Sequence, residues 1–254
     1  TLAQSENNRL AIEWFRQALA KTLRQVESDF ASYRISEAFM NLYKLFWDDF
    51  SGWYLEMIKP AYQCPIDRPT LEATCGFFDD LLRLLHPFMP FVTEEIWQDL
   101  APRKAGESIM VQRMPEAREI DEALLGRFEL TKEVVTAVRN VRKQKNIPQK
   151  DPLTLRVIAD ENYPAEYAPV MRKMANLTAI ETVTEKDPAA AAFIVKTTQY
   201  FVPMAGKIDA EAERRKLTDE LAYQEGFLAS VMKKLSNERF VQSAPGKVVA
   251  NERA

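Results

Sequence analysis

The chain is predicted to be mainly α: an antiparallel helical bundle over residues 1–150, a small α/β unit over 151–205, and a long helix within 206–254. Three observations predict this. Apolar residues recur at helical spacing through the first 150 residues, the spacing becomes alternating after Leu153, and leucines repeat every seventh residue at Leu221, Leu228 and Leu235.

In order, Leu10, Trp14, Ala18, Leu19, Leu23, Val26 and Phe30 trace one helical face. Ile35, Phe39, Leu42, Leu45/Phe46, Phe50, Trp53 and Met57 trace a second, which Pro60 stops. Leu71, Cys75, Phe78, Leu81/Leu82 and Leu85 form a third, closed by His86-Pro87, and Pro90 restarts a fourth through Trp97 to Leu100. Short connections between such helices predict antiparallel neighbours. Ser108 to Val111 is predicted to be a short extended piece. A long helix follows from Ile120 to Asn146-Ile147-Pro148. Leu153 to Ile158 then reads as a strand, Tyr163 to Ala175 as a helix, and Ala179 to Val183, Phe193 to Thr197 and Gln199 to Pro203 as further strands. Residues 207–236 read as a helix carrying a heptad seam, with acids in its first turns. It is expected to turn at Asn237 and at Ala244-Pro245-Gly246 and to meet a second helix from Val248. Such a seam needs a partner helix. The chain also starts without Met, so it is expected to be part of a longer one, and its last helix is expected to fold back on the body, pair with another copy or lack order.

Composition removes several kinds of function. The single histidine, His86, excludes chemistry that needs a histidine pair, and two cysteines without neighbouring histidines make no zinc site. The seven glycines lie at least 20 residues apart, so no glycine-rich phosphate loop or dinucleotide fingerprint exists here. No apolar run approaches a membrane span, and the two cysteines imply a reducing compartment. The net charge of −3 argues against a uniformly basic nucleic-acid binder, yet Arg139, Arg142, Lys143, Lys145 and Lys150 have no acid between them. That cluster ends a helix, so it either compensates the helix dipole or contacts phosphate. The aromatics of residues 42–56 offer stacking faces for unpaired bases, but their helical spacing assigns them to the core. Arg34, Asn41 and Lys44 lie off that stripe and are better contact candidates. His86 is expected to be structural at a helix junction and Cys75 to be core. The pairs Asp48-Asp49 and Asp79-Asp80 are expected to be solvated, since neighbours on a helix diverge by about 100°.

Several motifs together resemble a known family. His86-Pro-Phe-Met-Pro-Phe-Val-Thr-Glu-Glu-Ile-Trp97 and Phe46-Trp-Asp-Asp-Phe-Ser-Gly-Trp-Tyr-Leu-Glu56 are similar to the anticodon-binding helical domain of class I aminoacyl-tRNA synthetases for aliphatic amino acids, although Ser51-Gly52 stand where the family usually has Cys-Asp. Ser108-Ile-Met-Val-Gln112, Val138-Arg-Asn-Val-Arg-Lys-Gln-Lys-Asn-Ile-Pro148, Ala205-Gly-Lys-Ile-Asp-Ala-Glu-Ala-Glu-Arg214 and Leu235-Ser-Asn-Glu-Arg-Phe-Val-Gln-Ser-Ala-Pro245 resemble the valyl-tRNA synthetases, the last two their coiled-coil arm.

The resemblance implies a non-catalytic, anticodon-recognising part of an enzyme that loads valine onto tRNA(Val) with ATP and Mg. The family's two catalytic signatures are absent, so no catalytic residue, metal or cofactor is expected in this stretch. The implied partners are tRNA(Val) and the catalytic and editing domains of the same parent. That parent is implied to be monomeric and cytoplasmic. Arg214, Arg215, Lys233, Lys234 and Arg239 on the truncated arm then join Arg34, Asn41, Lys44, Arg139, Arg142, Lys143 and Lys145 as candidates for tRNA contact. Two alternatives stay open: the equivalent stretch of an isoleucyl or leucyl enzyme, and a helical protein-interaction module with a coiled-coil arm.

Overall fold

A computed structural model describes residues 2–204 and 210–236; within the last helix it leaves residues 210–217, 220 and 233–235 described by backbone alone. The chain divides into two units, Thr1–Pro203 and Met204–Ala254. The first is mostly helical and carries a small mixed sheet.

Helix α1 (Glu6–Ala31) is the centre of the first unit. Ser5 caps it by accepting the Asn8 N–H, satisfying a donor that the first turn leaves free. Around α1 pack α2 (Ile35–Lys44), a π-helical segment (Leu45–Tyr54), α3 (Leu55–Ile58), α4 (Arg68–Leu85), α6 (Glu122–Gln144) and α7 (Ala168–Met174). Helix α5 (Pro90–Leu100) lies against α4. Trp14 stacks on Phe128 at 4.1 Å, and Phe15 meets Phe50, Tyr54 and Phe77 at 5.0–5.2 Å. Such fully enclosed rings are worth about 3–5 kcal/mol each against alanine.

The second predicted helix is one rod with a change of pitch. Through residues 45–54 the hydrogen bonds skip one residue further, as in Leu55 N–H to the Phe50 carbonyl. The wider turn spaces the buried side chains as Leu45, Phe50, Tyr54 and Met57, so Tyr54 takes the inward position that regular spacing assigns to Trp53. Two further expectations are corrected. Ile109–Val111 is a 3₁₀ turn and not an extended piece, because the Ser108 hydroxyl accepts the Met110 N–H and starts it. Cys75 is exposed and not core, since α4 buries Phe77, Leu81, Leu82, Leu84 and Leu85 instead.

The sheet has the order β2-β1-β4-β3, with β1 (Leu153–Ile158), β2 (Leu177–Thr182), β3 (Ala190–Val195) and β4 (Thr198–Pro203). β1 and β2 are parallel, joined through α7; β4 runs antiparallel to both β1 and β3. Leu153, Leu155 and Val157 alternate inward, as the period of two requires. Helix α6 ends in a Schellman turn: Asn146 takes a left-handed φ of 53°, and the Ile147 N–H returns to the Arg142 carbonyl at 2.8 Å.

The second unit contains α8 (Ala210–Leu235). Among its described side chains, Leu221, Tyr223, Phe227, Leu228 and Met232 are exposed. The turns expected at Asn237 and Pro245 and the second helix from Val248 lie outside the described residues, as does Arg239.

Candidate nucleic-acid interface

Between α1 and α2 the chain reverses at Tyr33, whose φ of 58° is unusual for a residue with a side chain. The turn is held by Asp29, which is buried. Its Oδ1 accepts Gln25 Nε2 at 3.0 Å and Arg34 Nη2 at 2.9 Å; its Oδ2 accepts Asn41 Nδ2 at 2.8 Å; and the Arg34 N–H returns to its carbonyl at 2.8 Å. The structure thus brings Arg34 and Asn41 together on one carboxylate. Half-buried Asn41 gives one amide N–H to that bond, while the Arg34 side chain remains half exposed. Tyr33 projects from the turn and is 90% exposed.

The α4–α5 junction lies beside this turn. The Phe88 ring meets Phe30 at 6.1 Å and Phe39 at 5.1 Å. His86 Nδ1 bonds to the Thr93 hydroxyl at 2.8 Å, and that hydroxyl donates to the Met89 carbonyl at 2.8 Å, which fixes the start of α5. Phe91 in its first turn is 90% exposed. Along α2, Phe39 meets Tyr43 at 6.5 Å, and Tyr43 stacks on Trp47 at 6.4 Å with an 11° interplanar angle. Trp47 is 60% exposed, and Lys44 next to Tyr43 is exposed as well. One end and one flank of the helical body therefore present several open aromatic faces with Arg34 and Lys44 beside them. Sequence spacing missed Tyr43 and Trp47 because it assigned the whole aromatic stretch to the core. Tyr33 and Phe91 carried a usable signal: both are aromatics at a predicted helix boundary.

The basic cluster at the end of α6 divides. Lys143 is exposed. Arg139 is exposed too, donates from Nη2 to the Met174 carbonyl at 3.0 Å and lies 5.8 Å from the Trp53 ring. Lys145 is half-buried. Arg142 is the correction: it is 1% exposed, and its Nη1 and Nη2 donate to the carbonyls of Pro148, Asp151, Ala175 and Asn176 at 2.7–3.0 Å. It cannot reach an RNA phosphate. Arg214, Arg215, Lys233 and Lys234 lie on α8, but their side chains are outside the described residues.

The acid pairs are also corrected, apart from the exposed Asp48. Asp49 accepts Lys132 Nζ at 2.9 Å, and Asp79 accepts Trp97 Nε1 at 2.7 Å and Arg83 at 2.8 Å, while Asp80 pairs with Arg83. Burial pushes the Asp49 and Asp80 carboxyls up, with Lys132 and Arg83 respectively pulling the other way. Among the described residues no group of three or more His, Cys, Asp or Glu is arranged to hold a metal ion, and no helix is long and apolar enough to cross a membrane. The hydroxyl beside His86 is already committed to the Met89 carbonyl, and the site offers stacking, charge and hydrogen bonds.

Comparison with known proteins agrees with that chemistry. The family profile for the anticodon-binding domain of tRNA ligase matches residues 13–159, and that for the valyl tRNA synthetase tRNA binding arm matches residues 209–254. A valine–tRNA ligase of Parabacteroides distasonis is 56% identical over 253 residues, 100% of this chain and 29% of its own length. That of Phocaeicola vulgatus is 53% identical over 252 residues, covering 99% and 29%. A more distant one, from Thermotoga maritima, is 34% identical over 247 residues, covering 96% and 28%. The chain spans under a third of the length of these curated relatives.

Proposed function

The chain belongs to the family of tRNA-ligase anticodon-binding domains, and from that premise we propose that it is the RNA-reading part of a valine–tRNA ligase. The observation that carries the reading is the open aromatic end of the helical body beside Arg34. Unpaired bases are recognised by stacking and base-edge hydrogen bonds, and their phosphates are held by Arg and Lys. Tyr33, Phe91, Tyr43 and Trp47 supply stacking faces; Arg34 and Lys44 supply charge.

In this reading residues 1–150 recognise the anticodon of tRNA(Val), 151–205 brace them, and 206–254 form one strand of a coiled-coil arm along the RNA, with Arg214, Arg215, Lys233, Lys234 and Arg239 as its contacts. The exposed Leu221 and Leu228 support such an arm, because a helical seam of this kind gains by meeting a second helix. The match of residues 209–254 to the valyl arm favours this reading over an isoleucyl or leucyl enzyme. The catalytic domain of a longer cytoplasmic, monomeric parent, which also carries an editing domain, would use ATP and Mg to activate valine; residues 1–254 themselves need no cofactor.

The test is binding of a tRNA(Val) transcript against the same transcript with its anticodon exchanged. The cognate RNA should bind more tightly. The double substitution Tyr33→Ala, Phe91→Ala should reduce that preference, with stacking worth about 1–3 kcal/mol per base. Equal binding of the two transcripts at low salt would refute the reading.

A further inference from the structure

A second face of the helical body is concave and cationic. Where α3 ends, Lys59 meets α6 and α7 across a cleft of about 570 Å³ walled by Glu56, Lys59, Arg139, Lys173 and Met174. The cations come from three separate elements and are fixed there. Lys173 Nζ donates to the Lys59 carbonyl at 2.6 Å, and Arg139 is anchored on the Met174 carbonyl at 3.0 Å. Lys143 follows Arg139 by one helical turn, on the same side of α6. The acid in the wall, Glu56, is already paired with Lys59 at 3.3 Å. Burial pushes the Lys173 ammonium down, with Glu56 opposing, so an anion arriving in the cleft would restore the stabilisation that water no longer gives it.

The shape suits a chain of charges better than one enclosed ion. The cleft is shallow and open, and a phosphodiester backbone presents repeated anions to successive Lys and Arg. Its position fits as well. Asn7 Nδ2 donates to the Met57 carbonyl at 2.6 Å, which sets the cleft end of α3 beside the start of α1. Phe30, beneath the open aromatic end, lies about 35 Å further along α1 at roughly 1.5 Å per residue.

We propose that this cleft grips the phosphodiester backbone of a helical stem of the same RNA whose unpaired bases are taken at the aromatic end. The inference rests on the RNA-reading function above. Backbone contact of this kind supplies affinity and orientation but no sequence preference.

The test uses the 254-residue chain, the tRNA(Val) transcript and its anticodon-exchanged form, each titrated over a range of salt. Lys59→Gln with Lys143→Gln removes two exposed charges and keeps the Lys59 carbonyl that holds Lys173. Arg139→Gln is the second variant, and Lys186→Gln, an exposed lysine outside the cleft, is the control. The slope of log affinity on log salt should become shallower by about 0.9 for each phosphate no longer neutralised. The change should be equal for both RNAs, leaving the anticodon preference intact, with thermal midpoints within about 2 °C of the parent. An unchanged slope, or one that Lys186→Gln reproduces, overturns the cleft and leaves the anticodon reading standing. A shallower slope with no anticodon preference in the unsubstituted chain sinks the anticodon reading alone. Failure of the unsubstituted chain to bind either RNA overturns both.

Discussion

Replacing Arg142 by Met should destabilise the first unit by about 4–6 kcal/mol. The magnitude follows from its partners. The guanidinium donates to the carbonyls of Pro148, Asp151, Ala175 and Asn176, and no carboxylate bonds to it. It is nevertheless charged, and four backbone carbonyls from the turns after α6 and after α7 take the place of water around it. Burial pushes its pKa down and Asp151 raises it, yet an arginine stays protonated at neutral pH. Without it, the Ala175 carbonyl is left dry, at about 1–3 kcal/mol, while the other three regain water at a cost of roughly 1 kcal/mol each. Arg142→Lys should lose less than Met, since one ammonium can still serve some of the four acceptors, and Lys143→Gln should leave stability unchanged. Urea unfolding followed by circular dichroism measures all three. A loss below about 1 kcal/mol for Arg142→Met would refute the staple and return Arg142 to the surface candidates.

Two further outcomes follow. Asp29→Asn should cost about 2 kcal/mol in urea unfolding, because one carboxylate accepts Gln25, Arg34 and Asn41. It should also release the Tyr33 turn and weaken tRNA(Val) binding; unchanged stability would separate the turn from its supposed anchor. At acid pH, Glu166 should be one contributor to instability. Its hydrogen bonds from Arg127 hold its carboxyl below the usual range, and burial only partly opposes them. Its contribution is present above the unfolded glutamate pKa of about 4.3 and is lost as pH falls through the lower folded value. Glu166→Gln should therefore flatten the decline of thermal midpoint below about pH 5, and an unaltered acid limb would remove Glu166 from that role.

The helices and strands were largely legible, because apolar spacing reports which face is buried whatever lies opposite. The register inside residues 45–54 was not. A π-helical turn places Leu45 and Phe50 five apart, and a reading at 3.6 residues per turn then puts Trp53 where Tyr54 sits. Cys75 was misplaced for a related reason: an apolar residue on a predicted stripe says nothing about whether a neighbour covers that end of it. Arg142 was misread because charge type and local density are visible in sequence but burial is not. The carbonyls that hold it come from residues 148–176, so no local pattern marks it. Arg34 and Asn41 were found as residues off the core stripe, but their common organiser, Asp29, lies on the preceding helix and gives no signal of its own.

A rigid body matters more than any single contact to the proposed mode of binding. Affinity from phosphate contacts is indifferent to sequence, so the cationic cleft alone would hold many RNAs equally. The aromatic end alone would stack any unpaired base. Preference among RNAs then falls to hydrogen bonds with base edges at that end, while the cleft adds affinity and orientation. Two arginines on α6 brace the frame. Arg127 bonds Glu166 and the carbonyls of Glu161 and Tyr163, and Arg142 bonds the turns before β1 and after α7. The modest net charge of −3 therefore leaves room for a local cationic cleft, where Lys59, Arg139 and Lys173 meet from three elements.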